Sequence, residues 1–391
     1  MLSNHFQESA IHAQSNKTRL VWGLSNLVLS CSLVLGTTPV LAAKKEATIK
    51  TAESNSKNFA SWANLQEFVK LMAAKHDFDE GKLLALFEKA KYNESARQLV
   101  RPAPSDKPKN WEAYRARFVE GKRIEAGINF WNENEAVLQK AEREFGVPPE
   151  IIVGLIGVET IYGKMVGNYR LIDVLTTLAF DYPETPNQAQ RSQFFKDELE
   201  QFLLMARDSK QDPLVYRGSF AGAIGLPQFM PGSVRRYAVD YDQDGKLNLY
   251  GSSADAIGSV ANYLAKHGWQ RNLMIAAPAS LLLDKKDPIQ LAKLKEALGQ
   301  GLRASYTLEQ LKPIATSAIN GLPENQLYGL IDLQNGYNPD EYWLATTNFF
   351  AITFYNRSYF YAMSVLDLGT VIKTTRESRQ ALGANEKITN K

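Results

Sequence analysis

The apolar stretch of residues 147–160 constrains the fold most, because a helix with so few polar side chains has to be buried. Its Pro-Pro-Glu start suits the first turn of a helix, where proline loses no intrahelical hydrogen bond and an acid faces the positive end of the helix dipole. Counted in steps of three and four, one face carries Ile152, Leu155, Ile156 and Glu159. The acid Glu159 therefore projects from the stripe that has to be buried.

A carboxylate on a buried stripe is costly unless it has a partner or a function. Desolvation favours the neutral form and raises the pKa of a buried glutamate, and a general acid needs such a raised pKa near neutral pH. The structural alternative is an ion pair with an arginine such as Arg170 or Arg191. The helix alone leaves both interpretations of Glu159 open.

The size and charge of the chain set broad limits on its function. At 391 residues it is long enough for a large core with two or three subdomains. A hydrophobic content of 45% and a charged content of 22% are typical of a globular protein. The formal net charge of +3 is too small to indicate nucleic-acid binding, although it does not oppose a polyanionic polymer of the cell envelope.

Residues 1–43 have the pattern of a secretory signal peptide. Basic residues precede a mostly apolar run over residues 20–35, and small residues before Ala43 suit signal peptidase cleavage. Serine and asparagine interrupt the run, which argues against a transmembrane anchor. The one cysteine, Cys31, lies in an imperfect lipobox, so lipidation is an alternative to its removal with the signal. Either outcome leaves the mature chain without an internal disulfide.

Helical periodicity dominates the chain after the signal. Residues 44–60 are small and polar, which is typical of a linker, whereas residues 61–100 and 111–145 space their apolar side chains as helices do. Further helices are predicted around a loop-rich centre at residues 212–255. Residues 271–345 have short apolar runs separated by turn signals, which predict a small mixed or β-containing domain.

The C-terminal part of the chain is predicted to contain one more helical segment. Its apolar residues run from about Asn348 to Ile372. Asn356 is a suitable N-cap for a helix that ends at Gly369. Residues 374–391 are predicted to form a flexible tail.

The most distinctive local string runs from Arg217 to Pro231 and has three glycines within eight residues. Glycine lets a backbone approach a neighbour closely, and Ser219 and Gln228 carry groups that can hydrogen-bond a ligand. A tight crossing in the core is the structural alternative, since such crossings also use small residues. The string alone does not decide between the two.

Four strings occur in a fixed order along the chain. They are Gly-Val-Pro-Pro-Glu-Ile-Ile-Val-Gly-Leu-Ile-Gly-Val-Glu-Thr with Tyr162-Gly163 after it, Ala-Gly-Ala-Ile-Gly-Leu-Pro-Gln-Phe-Met-Pro, the segment 255–263, and His267-Gly268-Trp269. Together they resemble the membrane-bound lytic murein transglycosylase B family, over most of the chain from about residue 65 to the final helix. The resemblance implies a mainly α (α+β) fold, in which a lysozyme-like catalytic core has an additional α domain and a small β-containing domain.

The resemblance also implies how the chain is divided. Residues 61–150 would form the α domain, and residues 151–270 the lysozyme-like core with an EF-hand-like loop at 240–255. Residues 271–345 would form the β-containing domain, and residues 346–373 a helical segment that completes the cleft.

The activity implied by the resemblance is cleavage of the β-1,4 bond between N-acetylmuramic acid and N-acetylglucosamine without water, which leaves 1,6-anhydromuramyl ends. The catalytic glutamate of the family lies in the Gly-Val-Glu-Thr string, which corresponds to Glu159. A single residue would first protonate the glycosidic oxygen and then accept the proton of the sugar's own 6-hydroxyl. Glycosidases that use water need a second carboxylate instead.

Matching strings imply which side chains hold the sugar. A tyrosine ring can stack on a sugar face while its hydroxyl makes a hydrogen bond, which suits an amphipathic ligand. For any one tyrosine the alternative is a half-buried packing residue, since the chain has 17 of them. The candidate substrate-binding residues are Tyr114, Ser219, Gln228, Tyr263, Tyr355, Asn356 and Tyr361.

The segment from residue 240 opens like an EF-hand calcium loop. Aspartates stand at positions one, three and five, a glycine at six allows the sharp turn, and position seven offers a backbone carbonyl. Gly251 stands at position twelve, where a bidentate glutamate is usual, and the resemblance implies an enlarged loop closed by an aspartate. Structural calcium is expected, a solvated acidic turn is the alternative, and the chemistry needs no cofactor. The candidate ligands are Asp240, Asp242, Asp244, Lys246 and Asp255.

Three activities remain open: a peptidoglycan lytic transglycosylase, a hydrolytic muramidase, and a catalytically silent peptidoglycan-binding scaffold. A muramidase would need a second carboxylate near the cleft, and no acid stands at a distinctive position for it. The expected partners are peptidoglycan glycan strands, with cell-wall synthesis complexes as further candidates and no nucleic acid. A monomer is expected in the periplasm of a Gram-negative bacterium, with an outer-membrane lipid anchor if Cys31 is lipidated.

Overall fold

A computed structural model describes residues 58–102, 108–319 and 321–389, with side chains to residue 382. The predicted signal peptide with Cys31, and the predicted linker up to residue 57, lie outside these residues. In the described part of the chain, no helix is both long and apolar enough to cross a membrane.

Helices make up most of the described chain, as the sequence predicts. In chain order they are α1 (Ala63–His76), α2 (Glu80–Lys89), α3 (Glu94–Leu99), α4 (Trp111–Arg115), α5 (Gly121–Glu133), α6 (Glu135–Phe145), α7 (Pro149–Thr160), α8 (Leu171–Phe180), α9 (Gln188–Asp208), α10 (Pro231–Tyr237), α11 (Ser253–Lys266), α12 (Pro288–Leu298), α13 (Leu308–Leu311), α14 (Thr347–Thr353) and α15 (Tyr359–Thr389). A short 3-10 helix, Phe59–Ser61, precedes α1.

The core begins earlier than the linker prediction allows. Phe59 is fully buried, and its ring packs edge-on against Trp62 at 5.1 Å between centroids. Asn58 caps the short helix, since its side chain accepts the backbone N–H of Ala60. The predicted linker end at residue 60 is therefore wrong, because one aromatic side chain is enough to anchor this segment to the core.

In the described residues, two antiparallel sheets accompany the helices. The first pairs β1 (Tyr169–Arg170) with β2 (Arg217–Gly218). The second has the order β4-β3-β6-β5 and consists of β3 (Ala276–Leu281), β4 (Ala315–Thr316), β5 (Gly329–Leu333) and β6 (Glu341–Ala345). Residues of β5 and β6 join α12 and α13 in a second, smaller hydrophobic cluster. All four strands lie in the segment 271–345, for which the sequence predicts a β-containing domain.

Helix α7 runs through the main core. All of its residues are buried except Glu150 and Glu159, so the helix is enclosed on every side. Its closest neighbour is α15, and glycines bring the two backbones together. A Cβ atom on Gly154 would lie 2.3 Å from the carbonyl oxygen of Val365, and one on Gly369 would lie 2.0 Å from that of Glu150. No residue larger than glycine fits at this crossing.

The C-terminal segment corrects two predictions about caps. Ser358 starts α15, because its Oγ accepts the backbone N–H of Tyr361, whereas Asn356 is buried two residues before it. The predicted N-cap at Asn356 is therefore wrong. The predicted helix end at Gly369 is also wrong, since this glycine serves the crossing with α7.

The predicted flexible tail is likewise replaced by helix. Helix α15 continues to Thr389, well past the predicted boundary at residue 374. Arg376 holds this extension to the core, because it is only 9% exposed, pairs with Glu135 at 2.8 Å and donates to Asn132 at 2.6 Å. Two partners from the α5–α6 region thus stabilise a stretch whose own composition is polar.

Candidate active site

Glu159 lies in the last turn of α7, where the enclosed helix comes near the surface. Its side chain is partly exposed, whereas the residues on either side, Val158 and Thr160, are buried. Thr160 fixes this turn, because its hydroxyl donates to the carbonyl of Leu226 at 2.9 Å and accepts the N–H of Gly163 at 3.1 Å. The helix end and the glycine-rich loop are therefore joined next to the acid.

The ion-pair alternative for Glu159 is not supported by the structure. Arg170 pairs with Asp173 at 2.7 Å instead. Arg191 is buried over aromatic rings, including that of Phe194 at 5.1 Å. Among the described residues, no cation lies within ion-pair distance of Glu159. The acid is therefore not a member of a structural salt bridge.

A tyrosine hydroxyl is the partner of Glu159. Tyr361, at the start of α15 and 202 residues away in sequence, donates to Oε1 of Glu159 at 2.5 Å. Burial raises the pKa of Glu159 from 4.5 to about 7, and the bond from Tyr361 opposes this only in part. Because Oε1 accepts this bond, the proton of the neutral acid belongs on Oε2, the oxygen left for a substrate.

Four of the predicted tyrosines surround this acid. Burial and the negative charge of Glu159 raise the pKa of Tyr114 to about 12. The same two causes raise the pKa of Tyr355 and of Tyr361 well above the ordinary value. The charge of Glu159 also contributes to the raised pKa of Tyr263. These residues come from α4, α11, α15 and the segment before α15, so the fold collects them around one carboxyl group.

Two of these tyrosines have hydroxyls that are already engaged. Tyr263 donates to the carbonyl of Phe354 at 2.9 Å, and Tyr355 donates to that of Pro227 at 2.9 Å. Their rings contact each other at 4.7 Å between centroids. These residues are thus held rigidly and offer ring surface, whereas the Tyr114 hydroxyl has no hydrogen-bond partner in the described part of the chain. Tyr114 is the tyrosine with a free polar group for a ligand.

The loop from Arg217 to Pro231 uses its glycines for close backbone contacts. A Cβ atom on Gly218 would lie 2.2 Å from the carbonyl oxygen of Ala223, and one on Gly225 would lie 2.3 Å from that of Leu249. Ser219 supports the same turn, since its Oγ accepts the N–H of Ala223 at 3.0 Å. Ser219 therefore has a role within the loop.

Gln228 and Asn356 present polar groups that the protein leaves open. The side-chain nitrogen of Gln228 donates to the carbonyls of Gly225 and Val166, at 2.9 and 3.2 Å, and the residue lines a cavity. Asn356 is 7% exposed, and its Oδ1 is a buried acceptor with no hydrogen-bond partner among the described residues. Such an acceptor is costly unless a ligand or water satisfies it.

The acidic loop brings three of its five predicted ligands together. One oxygen from each of Asp240, Asp242 and Asp244 lies within 4.8 Å of the others. Backbone N–H groups hold two of these carboxylates: Gly245 donates to Asp240 at 2.9 Å, and Lys246 donates to Asp244 at 2.8 Å. This set of hard oxygen donors around a sharp glycine turn fits calcium.

Asp255 does not join that cluster. It is fully buried in the first turn of α11, and its two oxygens accept the N–H groups of Tyr241 and Asn248 at 2.8 and 2.7 Å. The prediction of Asp255 as a direct ligand is therefore corrected. Its carboxylate instead ties the two ends of the acidic loop to the helix that follows.

Sequence reasoning missed a buried acid that lines one cavity together with Tyr263 and Tyr355. Glu198 on α9 is 7% exposed, and burial raises its pKa to about 7. It shares an apolar face with Phe195, Leu199 and Phe202, which is the pattern that singles out Glu159. A search of the α9 sequence for an acid on an apolar face would therefore find Glu198.

Comparisons with known proteins agree with this geometry. Residues 59–370 match the family model described as "Transglycosylase SLT domain". The chain is 40% identical over 329 residues to membrane-bound lytic murein transglycosylase B of Escherichia coli (strain K12), over 82% of this chain and 85% of that protein.

Solved structures show the same fold. The catenated lytic transglycosylase SltB1 of Pseudomonas aeruginosa matches with a TM-score of 0.72 and 38% identity, over 81% of this chain and 99% of that one. The Escherichia coli lytic transglycosylase Slt35 in complex with calcium matches with a TM-score of 0.68 and 38% identity, over 82% and 94%. These matches confirm the predicted fold class, mainly α with a lysozyme-like core.

Proposed function

Because the chain belongs to the Transglycosylase SLT domain family and is a lytic transglycosylase, we propose that its substrate is the glycan strand of peptidoglycan. It cleaves the β-1,4 bond between N-acetylmuramic acid and N-acetylglucosamine without water and leaves 1,6-anhydromuramyl ends. Glu159 is the single general acid and base. This assignment rests on the surroundings of Glu159. Its carboxyl group has a pKa of about 7 and accepts a hydrogen bond from Tyr361, and no cation of the described residues lies within ion-pair distance of it.

The reaction begins with the proton on Oε2 of Glu159. This proton passes to the glycosidic oxygen as the bond to the anomeric carbon breaks, and the bonding electrons leave with that oxygen. The carbonyl oxygen of the 2-acetamido group bonds to the anomeric carbon and takes up its positive charge. The protein therefore has to hold the sugar and does not bond to it.

The second half of the reaction returns the proton. The carboxylate of Glu159 removes the proton of the 6-hydroxyl of the same sugar, and that oxygen displaces the acetamido oxygen at the anomeric carbon. The anhydro ring closes, the acetamido group is restored, and Glu159 is again the neutral acid. Tyr361 keeps Oε1 occupied in both states, so the same oxygen, Oε2, gives and takes the proton.

An internal nucleophile agrees with the surroundings of Glu159. Burial and the bond from Tyr361 set its pKa, and no second carboxylate of the described residues contributes. A hydrolytic muramidase would need such a partner acid to activate water. Of the three activities that the sequence leaves open, the comparisons support the lytic transglycosylase and not the hydrolase.

We assign the substrate-binding roles from the side-chain groups that remain free to contact a ligand. The rings of Tyr263 and Tyr355 form a rigid stacking wall, and the hydroxyl of Tyr114 is free to bond a sugar oxygen. The open acceptor of Asn356 suits a sugar hydroxyl or acetamido N–H. Ser219 supports the loop that carries Gln228, and because its oxygen only accepts there, its O–H is still available to donate to a sugar oxygen.

End-group analysis tests this function. Sacculi digested by the wild type should yield anhydro ends by mass spectrometry, and Glu159→Gln should yield none while still binding glycan. Glu150→Gln is the matched control, since Glu150 lies on the same helix and pairs with Lys373 at 3.0 Å. Reducing ends from the wild type would show a hydrolase, and turnover by Glu159→Gln near the wild-type rate would remove Glu159 from the mechanism.

Calcium is proposed as a structural ion at the acidic loop. Asp240, Asp242 and Asp244 would bind it, with the carbonyl of Lys246 as a further ligand, and Asp255 would hold the loop in place. The bound calcium of Slt35 supports this proposal. Calcium added to chelated protein should raise the melting temperature and leave the rate unchanged. Asp242→Asn lacks one of the three carboxylates. If calcium raised its melting temperature by the same amount, the ion would bind elsewhere.

We place the enzyme in the periplasm of a Gram-negative bacterium. The membrane-bound name of the Escherichia coli relative supports an envelope location and leaves open a lipid anchor at Cys31. Palmitate labelling that disappears in Cys31→Ala would establish the anchor. Glycan strands are the proposed partner, cell-wall synthesis complexes remain candidates, and a monomer is the proposed state.

A further inference from the structure

The chain reversal that follows Glu159 has an unusual backbone conformation. Helix α7 ends at Thr160, and the next two residues, Ile161 and Tyr162, have positive φ angles of 52° and 56°. Residues with a Cβ atom rarely adopt this left-handed region, and for a β-branched residue such as Ile161 it is strained. At the end of a helix this conformation usually belongs to glycine or asparagine. Contacts with other elements therefore have to hold the turn.

The ring of Tyr162 anchors this turn. It stacks on Phe130 of α5, with 5.0 Å between the ring centroids and 30° between the ring planes. Two glycines make room for its far end. A Cβ atom on Gly127 would lie 2.5 Å from the hydroxyl oxygen of Tyr162, and one on Gly157 would lie 2.3 Å from it. Phe130 and these two glycines thus form a slot that fits the ring and has no space for a further side chain.

The slot lies where α15 meets α5 and α7. The same Cβ atom on Gly157 would lie 2.9 Å from Cδ2 of Leu368, and that on Gly127 would lie 2.4 Å from Cδ1 of Ile372. Both of these side chains belong to α15, and the first turn of this helix carries Tyr361, the donor to the catalytic acid. The ring therefore fills a junction of three helices, two of which supply the acid and its donor.

The hydroxyl of Tyr162 is not what holds the ring. It is buried and has no hydrogen-bond partner in the described part of the chain. Burial raises the pKa of Tyr162, and the positive charge of Arg123 opposes this only in part, so the group stays neutral. A buried hydroxyl without a partner is costly. The anchoring thus comes from the aromatic ring and not from its polar group.

Arg123 fastens the end of α7 from the same side. Its Nε donates to the carbonyl of Gly157 at 3.0 Å, and this carbonyl also accepts the N–H of Ile161 at 3.2 Å. A cation near the last carbonyls of a helix is favourable, because the helix dipole is negative there. Arg123 is only 8% exposed and lies on α5, which also forms the slot. Two contacts with α5 therefore fix the strained turn.

We propose that Tyr162 is a positioning residue of the reaction. Its ring, seated in the slot, holds the strained turn after α7 and so keeps the carboxyl of Glu159 in place between Tyr361 and the glycosidic oxygen. Tyr162 takes no part in the proton transfer itself. A displacement of about 1 Å at a reacting group can cost about 10²-fold in rate, so a small movement of the turn is enough to matter. The inference rests on the proposed function, since it requires Glu159 as the acid.

The test compares the wild type with Tyr162→Phe, Tyr162→Leu and a matched control, using release of anhydro ends to measure kcat and KM. Tyr162→Phe keeps the ring and removes only the unpaired hydroxyl, so its kcat should equal that of the wild type. Tyr162→Leu removes the ring and should lower kcat about 10- to 100-fold with KM nearly unchanged. The control is Phe68→Leu on α1, whose ring packs on Phe87 and Phe180. It should lower the melting temperature and leave kcat unchanged.

The pH profile separates positioning from packing. The bond from Tyr361 lowers the pKa of Glu159, so an acid that moves away from this donor should have a higher pKa. The alkaline limb of kcat/KM in Tyr162→Leu should therefore lie about 1 pH unit above that of the wild type. A wild-type kcat in Tyr162→Leu, a loss of kcat with an unmoved limb, or an equal loss in Tyr162→Phe would each overturn the proposal.

A second pair of variants keeps the proposal testable if Tyr162→Leu does not fold. Gly127→Ala places a methyl group against the Tyr162 hydroxyl oxygen and the flexible end of Ile372, and it should lower kcat. Tyr162→Phe in the same chain removes that oxygen and should restore kcat. No loss in Gly127→Ala, or no recovery in the double variant, would show that the ring does not position the acid. Failure of the proposed function would look different, since the wild type would then form no anhydro ends or Glu159→Gln would remain active.

Discussion

Glu159, which is partly exposed, and Glu198, which is buried, are two glutamates whose pKa values are both raised to about 7, yet their surroundings differ. Glu159 has a hydroxyl donor, Tyr361, and three further tyrosines nearby, and no cation of the described residues lies within ion-pair distance of it. Glu198 has a backbone N–H donor and the cation Arg236 beside it. Equal pKa values therefore do not imply equal roles.

The difference lies in what faces the free oxygen of each acid. The neutral tyrosines around Glu159 leave its proton free to move to a substrate oxygen and back. The guanidinium beside Glu198 favours the ionised form, which suits binding of a polar ligand and not proton donation. Neighbouring charge, and not the pKa alone, separates the proposed catalytic acid from Glu198.

The largest expected effect separates the two acids by activity. Glu159→Gln should lower kcat/KM at least about 10³-fold, because an amide cannot donate an acidic proton. Glu198→Gln should lower it far less, because Glu198 is not among the groups that act on Glu159. Release of anhydro ends over time measures both. A comparable loss in Glu198→Gln would make the two acids partners in one reaction and break the comparison.

The second prediction concerns stability and should be the same for both acids. Each native carboxyl has a pKa near 7 against an ordinary value of 4.5, so the folded state binds the proton more tightly than the unfolded state. This contribution is fully present below pH 4.5 and is lost as the pH rises through about 7. At pH 8, Glu159→Gln or Glu198→Gln should therefore raise the free energy of unfolding by up to roughly 3 kcal/mol.

Urea unfolding at pH 5 and pH 8 measures this effect. Glu150→Gln serves as the control, since Glu150 is paired with Lys373 at 3.0 Å and its removal takes away an ion pair. That variant should gain no stability at pH 8. If the difference in free energy of unfolding between the wild type and Glu159→Gln is the same at pH 8 as at pH 5, burial does not destabilise the carboxylate.

The third prediction isolates the donor to Glu159. Tyr361→Phe removes the hydrogen bond that favours the carboxylate, so the pKa of Glu159 should rise further. A bond to a charged group contributes about 1.5–3 kcal/mol, which corresponds to an alkaline limb of kcat/KM displaced upward by about 1–2 pH units. A limb that stays near pH 7 would show that another group controls the rate. The pKa of Glu198 should be unaffected, because Tyr361 is not among the groups that act on it.

The sequence predicts the elements whose signals are local. The apolar stripe and the Pro-Pro-Glu start predict α7, and turn signals predict the small sheet domain. It also predicts Glu159 as an acid on a buried face. These features depend on neighbours within one or two turns of helix, so no tertiary information is needed.

Other features depend on residues far apart in the chain. Gly369 has the sequence appearance of a helix end, and only the contact with Glu150, more than 200 positions away, shows that it serves a helix crossing. Asp255 resembles a loop ligand, but it is already bound to two backbone N–H groups. The partner of Glu198 is Gly232 on a later helix. Spacing along the chain does not contain this information.

The smallest expected effect tests whether the crossing of α7 and α15 positions Glu159 without affecting Glu198. A methyl group at Gly154 would lie 2.3 Å from the carbonyl of Val365, so Gly154→Ala should cost about 1–3 kcal/mol in the free energy of unfolding. The matched control is Gly121→Ala on α5, where a Cβ atom meets nothing within 4 Å and the change should be neutral or stabilise by about 0.5–1 kcal/mol.

Activity then shows which acid depends on the crossing. Helix α15 carries Tyr361, so its displacement by the methyl group should weaken the bond to Glu159 and lower kcat/KM. Glu198 and its donor Gly232 lie on α9 and α10, which are not part of the crossing, so Glu198→Gln should raise the free energy of unfolding at pH 8 by the same amount with or without Gly154→Ala. A smaller gain in the presence of Gly154→Ala would mean that the crossing also positions Glu198. The two acids would then form one mechanical unit in spite of their different neighbours.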